Sequence, residues 1–117
     1  MKIGVWATVA MVFAGAAFAD SPEVTKVDAR KSGGSWSFSV TLKHGDTGWE
    51  HYADGWGVYL EDGTELGYRV LAHPHVNEQP FTRSLGGVQI PTGVERVLIV
   101  PRDKVHGTGE GFLVKLQ

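Results

Sequence analysis

Five histidines are the side chains of this sequence best suited to chemistry: His44, His51, His73, His75 and His106. His73 and His75 are separated by Pro74 alone, so in an extended segment their imidazoles point to the same side, and the proline stiffens the pair. Joined by His44, His51 or a carboxylate such as Glu78, they would supply the three or four ligands that a transition metal needs. The spacing therefore predicts a metal site that draws on His44, His51, His73 and His75.

Sulfur ligands are excluded from such a site. The sequence contains no cysteine, and both methionines, Met1 and Met11, lie in a segment that we expect to be removed on export. Imidazole nitrogens and carboxylate or backbone oxygens then remain, which favours Zn(II), Cu(II) or Ni(II). Neither an H-E-x-x-H nor a C-x-x-C signature is present. A second interpretation stays open, in which the histidines donate hydrogen bonds that hold long loops in place.

Aromatic and charged residues near the histidines form a second candidate set, for a small polar ligand: Trp49, Glu50, Tyr52, Asp54, Glu78, Phe81, Arg83 and His106. The aromatic side chains, together with Trp56, would line a pocket for a sugar or a peptide, or would cap the end of the hydrophobic core. Arg83 would recognise an anion through two hydrogen bonds, or would pair internally with Glu50 or Asp54.

Motifs of catalysis give little support to an enzymatic function. The sequence has no G-x-S-x-G elbow, phosphate-binding loop, dinucleotide fingerprint or cysteine nucleophile, which favours binding over catalysis. The 11 Lys and Arg residues stand against 13 Asp and Glu residues and form no basic cluster. This charge distribution argues against a nucleic acid as the partner.

Short runs of alternating hydrophobic and polar residues, separated by polar or glycine-containing turns, indicate an all-β domain. In the clearest run, residues 35–43, the side chains of Trp36, Phe38, Val40 and Leu42 share one face. Six further runs are predicted at 24–30, 56–60, 66–70, 87–90, 96–100 and 111–116, and Pro101 is predicted to close the run 96–100. Seven antiparallel strands in about 100 residues are typical of an immunoglobulin-like or fibronectin type III-like sandwich.

Strands that alternate in direction place their connections alternately at the two ends of a sandwich. One end would carry three short hairpin turns, centred on Gly33, Gly63 and Gly93. The other end would carry three longer segments, 45–55, 73–84 and 103–110, and all five histidines lie in or beside them. Long loops on a rigid scaffold often carry binding sites, so we expect the function at this second end.

The first 19 residues have the pattern of a secretory signal. Lys2 supplies a positive charge, an uncharged segment follows, and the triplet Ala17-Phe18-Ala19 matches a cleavage site. Residues 20–22 are acidic and turn-forming, which is typical of an exposed start and not of the flank of a permanent membrane span. We expect cleavage after Ala19 and a single domain over residues 20–117 without a membrane span, although an uncleaved N-terminal anchor is the alternative.

Two segments carry a resemblance to known proteins: residues 48–56 (GWEHYADGW) and 73–85 (HPHVNEQPFTRSL). The chain resembles a family of small exported bacterial proteins of uncharacterised function. This resemblance implies a periplasmic or secreted location in a bacterium. It implies no activity, cofactor or functional residue.

The sequence therefore predicts a periplasmic or secreted binding module whose histidine-bearing loops hold a divalent transition metal, Zn(II) or Cu(II), or a small polar ligand. The alternative is an accessory protein of the cell envelope that docks on a protein partner without a metal. In the alternative, the histidines serve the structure of the loops.

Overall fold

A computed structural model describes residues 21–116, which form two antiparallel sheets packed as a sandwich. No helix occurs among these residues. The strands are β1 (Glu23–Ser32), β2 (Ser35–Lys43), β3 (Ala53–Tyr59), β4 (Glu65–Val70), β5 (Phe81–Val88), β6 (Arg96–Asp103), β7 (Gly107–Thr108) and β8 (Phe112–Lys115). The predicted all-β class is confirmed. The predicted signal segment, residues 1–19, lies outside the described residues.

The order of the strands separates the two sheets clearly. One sheet has the order β1-β2-β5, and the other has the order β4-β3-β6-β7, with β8 also paired to β6. Seven of the strands correspond to the predicted runs, and the two-residue β7 is additional. Phe38, Val40 and Leu42 of β2 are at most 1% exposed and face Trp56 and other buried side chains of the second sheet. The hydrophobic residues that alternate along β2 therefore form its buried face, as predicted.

Strand β5 begins earlier than predicted, at Phe81 instead of residue 87. The first half of β5 contains polar residues, so it lacks the hydrophobic pattern from which a strand is predicted. These residues pair across the sheet: the Thr82 hydroxyl bonds to that of Thr41 at 2.7 Å, and the Ser84 hydroxyl bonds to that of Ser39 at 2.8 Å. These cross-strand pairs fix the register of β5 against β2. The predicted long segment 73–84 is consequently shorter, and Phe81 and Arg83 lie on a strand and not in a loop.

Pro101 does not end β6, contrary to the prediction, because its missing N–H falls in a gap of the hydrogen-bonded ladder. Residues 96–99 pair with β8 and residues 102–103 pair with β7. Between the two, the carbonyl of Pro101 accepts a hydrogen bond from the Gly109 N–H at 2.7 Å. The strand thus continues to Asp103.

The predicted turns are present, with positive φ at Gly33, Gly63 and Gly93. The first two connect hairpins, β1–β2 and β3–β4. The third was also predicted as a hairpin, which is wrong, because it joins β5 to β6 in the opposite sheet. Since successive strands alternate in direction, the connections 44–52, 71–80 and 104–111 gather at the other end of the sandwich, which we call the histidine pole.

Candidate metal centre

All five histidines lie in the loops of the histidine pole. The rings of His44 and His51 lie edge-to-face with their centroids 4.8 Å apart, and the ring of His106 lies 5.0 Å from that of His51. The rings of His73 and His75 form a separate pair, 4.7 Å apart. The pole therefore contains two histidine groups instead of one.

Asp103 is the centre of the first group. The Oδ2 atom of this fully buried carboxylate lies 3.1 Å from His44 Nε2, 3.0 Å from His51 Nε2 and 2.9 Å from His106 Nδ1. Its Oδ1 atom accepts the backbone N–H groups of Val105 and His106. Burial raises the pKa of Asp103, but the hydrogen bonds from the histidines outweigh burial and hold the pKa at about 2, below its usual 3.8. The site thus holds a buried carboxylate in its charged form.

His44, His51 and Asp103 are placed to share a metal ion. One ligand atom from each lies within 4.8 Å of the others. The separations of 3.1 and 3.0 Å between Asp103 Oδ2 and the Nε2 atoms of His44 and His51 suit donors that each stand about 2.0–2.2 Å from one ion. His106 contacts Asp103 but is not a member of this compact set among the described residues.

Asp46 orients His44 from the side away from Asp103. Its Oδ1 atom accepts the Nδ1–H of His44 at 2.5 Å and the backbone N–H of Ala53 at 3.1 Å. Its Oδ2 atom accepts the backbone N–H of His75 at 2.7 Å. The side chains of Asp46 and His44 are both fully buried. A carboxylate that holds Nδ1–H fixes the tautomer of a histidine and leaves Nε2 to act as a metal ligand.

His75 is turned away from this centre. Its ring stacks on Phe81 with the centroids 4.0 Å apart, and its Nε2 accepts a hydrogen bond from the Arg83 guanidinium at 3.0 Å. A guanidinium can only donate, so the proton of the neutral imidazole lies on Nδ1. Nδ1 is buried and has no hydrogen-bond partner among the described residues. In this arrangement His75 offers no free lone pair to a metal, and His73 lies exposed beside it.

The environment of His75 predicts a measurable pH effect. Burial, followed by the charges of Arg83 and His73, lowers the pKa of His75 below its usual 6.5. The folded state therefore favours the neutral ring, and stability falls as the pH drops through 6.5, because the unfolded chain takes up the proton first. We expect His75→Gln to reduce the loss of stability between pH 7.5 and 5.5, as measured by urea unfolding. Parallel pH profiles for the two proteins would contradict this prediction.

The other predicted ligand residues have different surroundings. Trp49 is 61% exposed and packs edge-to-face against Tyr52 at 5.6 Å, whereas Phe81 is buried against His75. Trp56 lies in the core. Glu50 is exposed, with its carboxylate folded back against the backbone of Gly48. The Trp49–Tyr52 pair, Phe81 and Trp56 therefore have separate surroundings.

The charged candidates form ion pairs within the protein. Arg83 pairs with Glu78 at 3.2 Å and with His75, and not with the predicted Glu50 or Asp54. Asp54 lies on β3 and pairs with Arg102 of β6. Arg83 therefore contacts side chains of its own chain, as one of the two interpretations expected, but these are Glu78 and His75 instead of Glu50 or Asp54.

Asp46 and Asp103 are the two residues of the centre that the candidate set omits. A signal for Asp103 exists in the sequence, since it follows the hydrophobic run 96–100 at the end of β6. Because Pro101 was predicted to end the strand, Asp103 was not predicted to lie at the end of β6. Asp46 gives no comparable signal, because an aspartate between two glycine-containing turns is also typical of an ordinary loop.

Comparisons with known proteins give a distant relationship and a shared fold. No protein-family model matches the chain. The chain is 38% identical to a protein of Halomicrobium mukohataei named "Putative lipoprotein"; the match covers 92% of this chain and 58% of that protein. The chain therefore spans little more than half the length of this relative.

A crystal structure of a hypothetical protein from Pyrococcus horikoshii OT3 has a similar fold. The two structures superpose with a TM-score of 0.55, and the match covers 83% of this chain and 88% of that protein. The sequences are 14% identical, so the likeness concerns the fold alone. In residues 21–116, no helix is long and apolar enough to cross a membrane.

Proposed function

We propose that this protein is an exported β-sandwich module that binds a divalent transition metal through His44, His51 and Asp103. The observation that carries the proposal is the convergence of three imidazole nitrogens on a single buried carboxylate oxygen, Asp103 Oδ2.

Hydrogen bonds alone satisfy this arrangement poorly. The two lone-pair directions of Asp103 Oδ1 serve two backbone N–H groups, so Oδ2 has about two directions left for three imidazole nitrogens. His44 also faces a carboxylate on each side, Asp46 at Nδ1 and Asp103 at Nε2. Without a cation, a fully buried His44 would need a proton on both nitrogens to donate to both carboxylates.

A divalent ion resolves both difficulties. The Nε2 atoms of His44 and His51 would then present lone pairs to the ion, and Oδ2 of Asp103 would be a ligand instead of a shared acceptor. Asp46 would keep the Nδ1 proton of His44, as outer carboxylates do for metal-bound histidines. His106 would hold Asp103 in place through its ring and its backbone N–H.

The ligand atoms limit the choice of metal. Two imidazoles and one carboxylate, without sulfur, suit Zn(II), Cu(II) or Ni(II). Calcium and magnesium prefer sites made only of oxygen ligands. We therefore propose Zn(II) or Cu(II) as the bound ion.

Export is the second part of the proposal. The pattern of residues 1–19 supports a cleaved signal, and the name of the Halomicrobium relative supports a place in the cell envelope. The present sequence contains no cysteine to carry a lipid. We assign the protein to the periplasm or the secreted fraction as a soluble domain over residues 20–117.

The strand order supports a fibronectin type III-like sandwich. The first, second and fifth strands form one sheet, and the third, fourth, sixth and eighth strands form the main part of the other. Such sandwiches present their loops at the two ends, which is where the proposed metal centre lies.

A competing function, docking on a protein partner, has one observation in its favour. Trp49, Val76 and Val105 are each at least 50% exposed, and each lies on a different loop of the histidine pole. Exposed hydrophobic residues of this kind are typical of interaction surfaces when they are contiguous. In this alternative the histidines and Asp103 would only connect the loops.

Calorimetric titration of the mature domain with Zn(II), Cu(II) and Ni(II) separates the two functions. We expect one ion per chain, with affinity lowered by more than about 100-fold in a His44→Gln, His51→Gln double variant, since even outer residues of metal sites contribute about 10–100-fold. A His73→Gln, His75→Gln double variant is the matched control and should bind as the wild type does. Wild-type protein without stoichiometric binding, or equal losses in both variants, would contradict the proposal.

A further inference from the structure

The candidate ligands approach the centre from one side. The side chains of His44 and Asp103 are fully buried, whereas that of His51 is 20% exposed. His106, next to the centre, is 39% exposed. Protein therefore covers the centre on the side of His44 and Asp103, and solvent reaches it on the side of His51 and His106.

The number of ligands also leaves the site incomplete. A closed structural site normally holds its ion with four protein ligands, whereas a site with three protein ligands keeps a position for water or another ligand. Among residues 21–116, three ligand atoms share the compact set, and His106 is outside it. The arrangement is that of an open site.

The charge at the centre favours an anion at this position. Among the direct ligands, two neutral imidazoles and one carboxylate leave a divalent ion with one uncompensated positive charge. The buried Asp46 carboxylate, on the far side of His44, adds a negative charge farther from the ion. Lys104 adds a second positive charge at the rim, where its Nζ binds the carbonyl of Trp49 at 2.9 Å and lies 5.9 Å from the ring centroid of Tyr52. The nearby Glu50 carboxylate folds back against Gly48.

We infer that the ion bound by His44, His51 and Asp103 keeps one coordination position open to solvent, and that this position takes a small monodentate anion. The class of ligand is an inorganic anion or a small carboxylate, bound directly to the metal. This inference rests on the proposed metal site and specifies what that site can bind.

Azide titration of the Cu(II)-loaded mature domain tests the inference. We expect a saturable azide-to-copper charge-transfer band and a changed electron paramagnetic resonance spectrum, at one azide per copper. Acetate and chloride should compete and shift the half-saturation point to higher azide concentration. Neutral glycerol, added at the same concentration as the acetate, should leave that point unchanged.

A His106→Ala variant distinguishes an open site from one that His106 closes. We expect both proteins to give an azide band, with copper bound more weakly in the variant because it loses the ring contact to Asp103 Oδ2. A band in the variant but not in the wild type would mean that His106 fills the fourth position, which overturns the inference and leaves the metal site intact. Copper binding without an azide band in either protein also overturns it, whereas absence of copper binding overturns the proposed function itself.

Discussion

An Asp103→Asn variant is expected to lose metal binding and to unfold at a lower denaturant concentration than the wild type. The carboxylate is fully buried and faces three imidazole nitrogens and two backbone N–H groups. An amide in its place would present N–H groups to some of these donors and would carry no charge. Removing one partner from such a buried network costs about 3–5 kcal/mol of unfolding free energy.

The two consequences of this substitution are measured separately. Urea unfolding of the metal-free proteins gives the stability difference, and calorimetric titration gives the affinity for Zn(II) and Cu(II). Asp28→Asn is a matched control, because Asp28 is an exposed aspartate of β1 with only a 3.8 Å ion pair to Lys26. An Asp103→Asn protein that binds the metal as tightly as this control would remove Asp103 from the ligand set.

Asp46→Asn is expected to weaken metal binding by about 10–100-fold while one ion per chain is still bound. Asp46 contacts His44 at the nitrogen opposite to the proposed ligand nitrogen, so it acts by orienting the ring. An asparagine side chain keeps the shape but loses the charge that holds the Nδ1 proton. Calorimetric titration at one fixed pH near neutrality measures the effect.

Glu50→Gln serves as the control for Asp46→Asn, because Glu50 lies in the same loop and is exposed. We expect this control to bind the metal as the wild type does. Equal affinity for all three proteins would mean that Asp46 only connects the loops through the backbone of Ala53 and His75.

The Asp46 contacts also explain how two loops of the pole hold each other. Gln79 accepts the backbone N–H of His44 and donates to the carbonyl of His75, while Asp46 accepts the backbone N–H of His75. Two of these hydrogen bonds, at the backbone N–H groups of His44 and His75, join loops 44–52 and 71–80, and the third holds Gln79 within loop 71–80. His75 contributes to the centre through its backbone, and not through the imidazole nitrogens that its spacing from His73 suggests.

Much of the fold followed from the sequence because it depends on local patterns. The alternation of Trp36, Phe38, Val40 and Leu42 identifies β2 and its buried face, since side chains of a strand point alternately to its two sides. The glycine turns fix where β1 and β3 reverse. Alternating directions then place the long connections at one end, which locates the histidines there before any distance is known.

The tertiary structure alone decided which of these histidines share an atom. Distances of about 3 Å depend on the twist of the sheets, on the register shift between Ala53 and Gly55, and on rotamers set by packing. Whether β6 passes Pro101 depends on the gap between its partners β7 and β8 on one side, and on its pairing with β3, which is distant in sequence, on the other side. The sequence therefore determined the end of the sandwich that carries the histidines, and long-range packing determined that Asp103, and not His73 or His75, completes the centre.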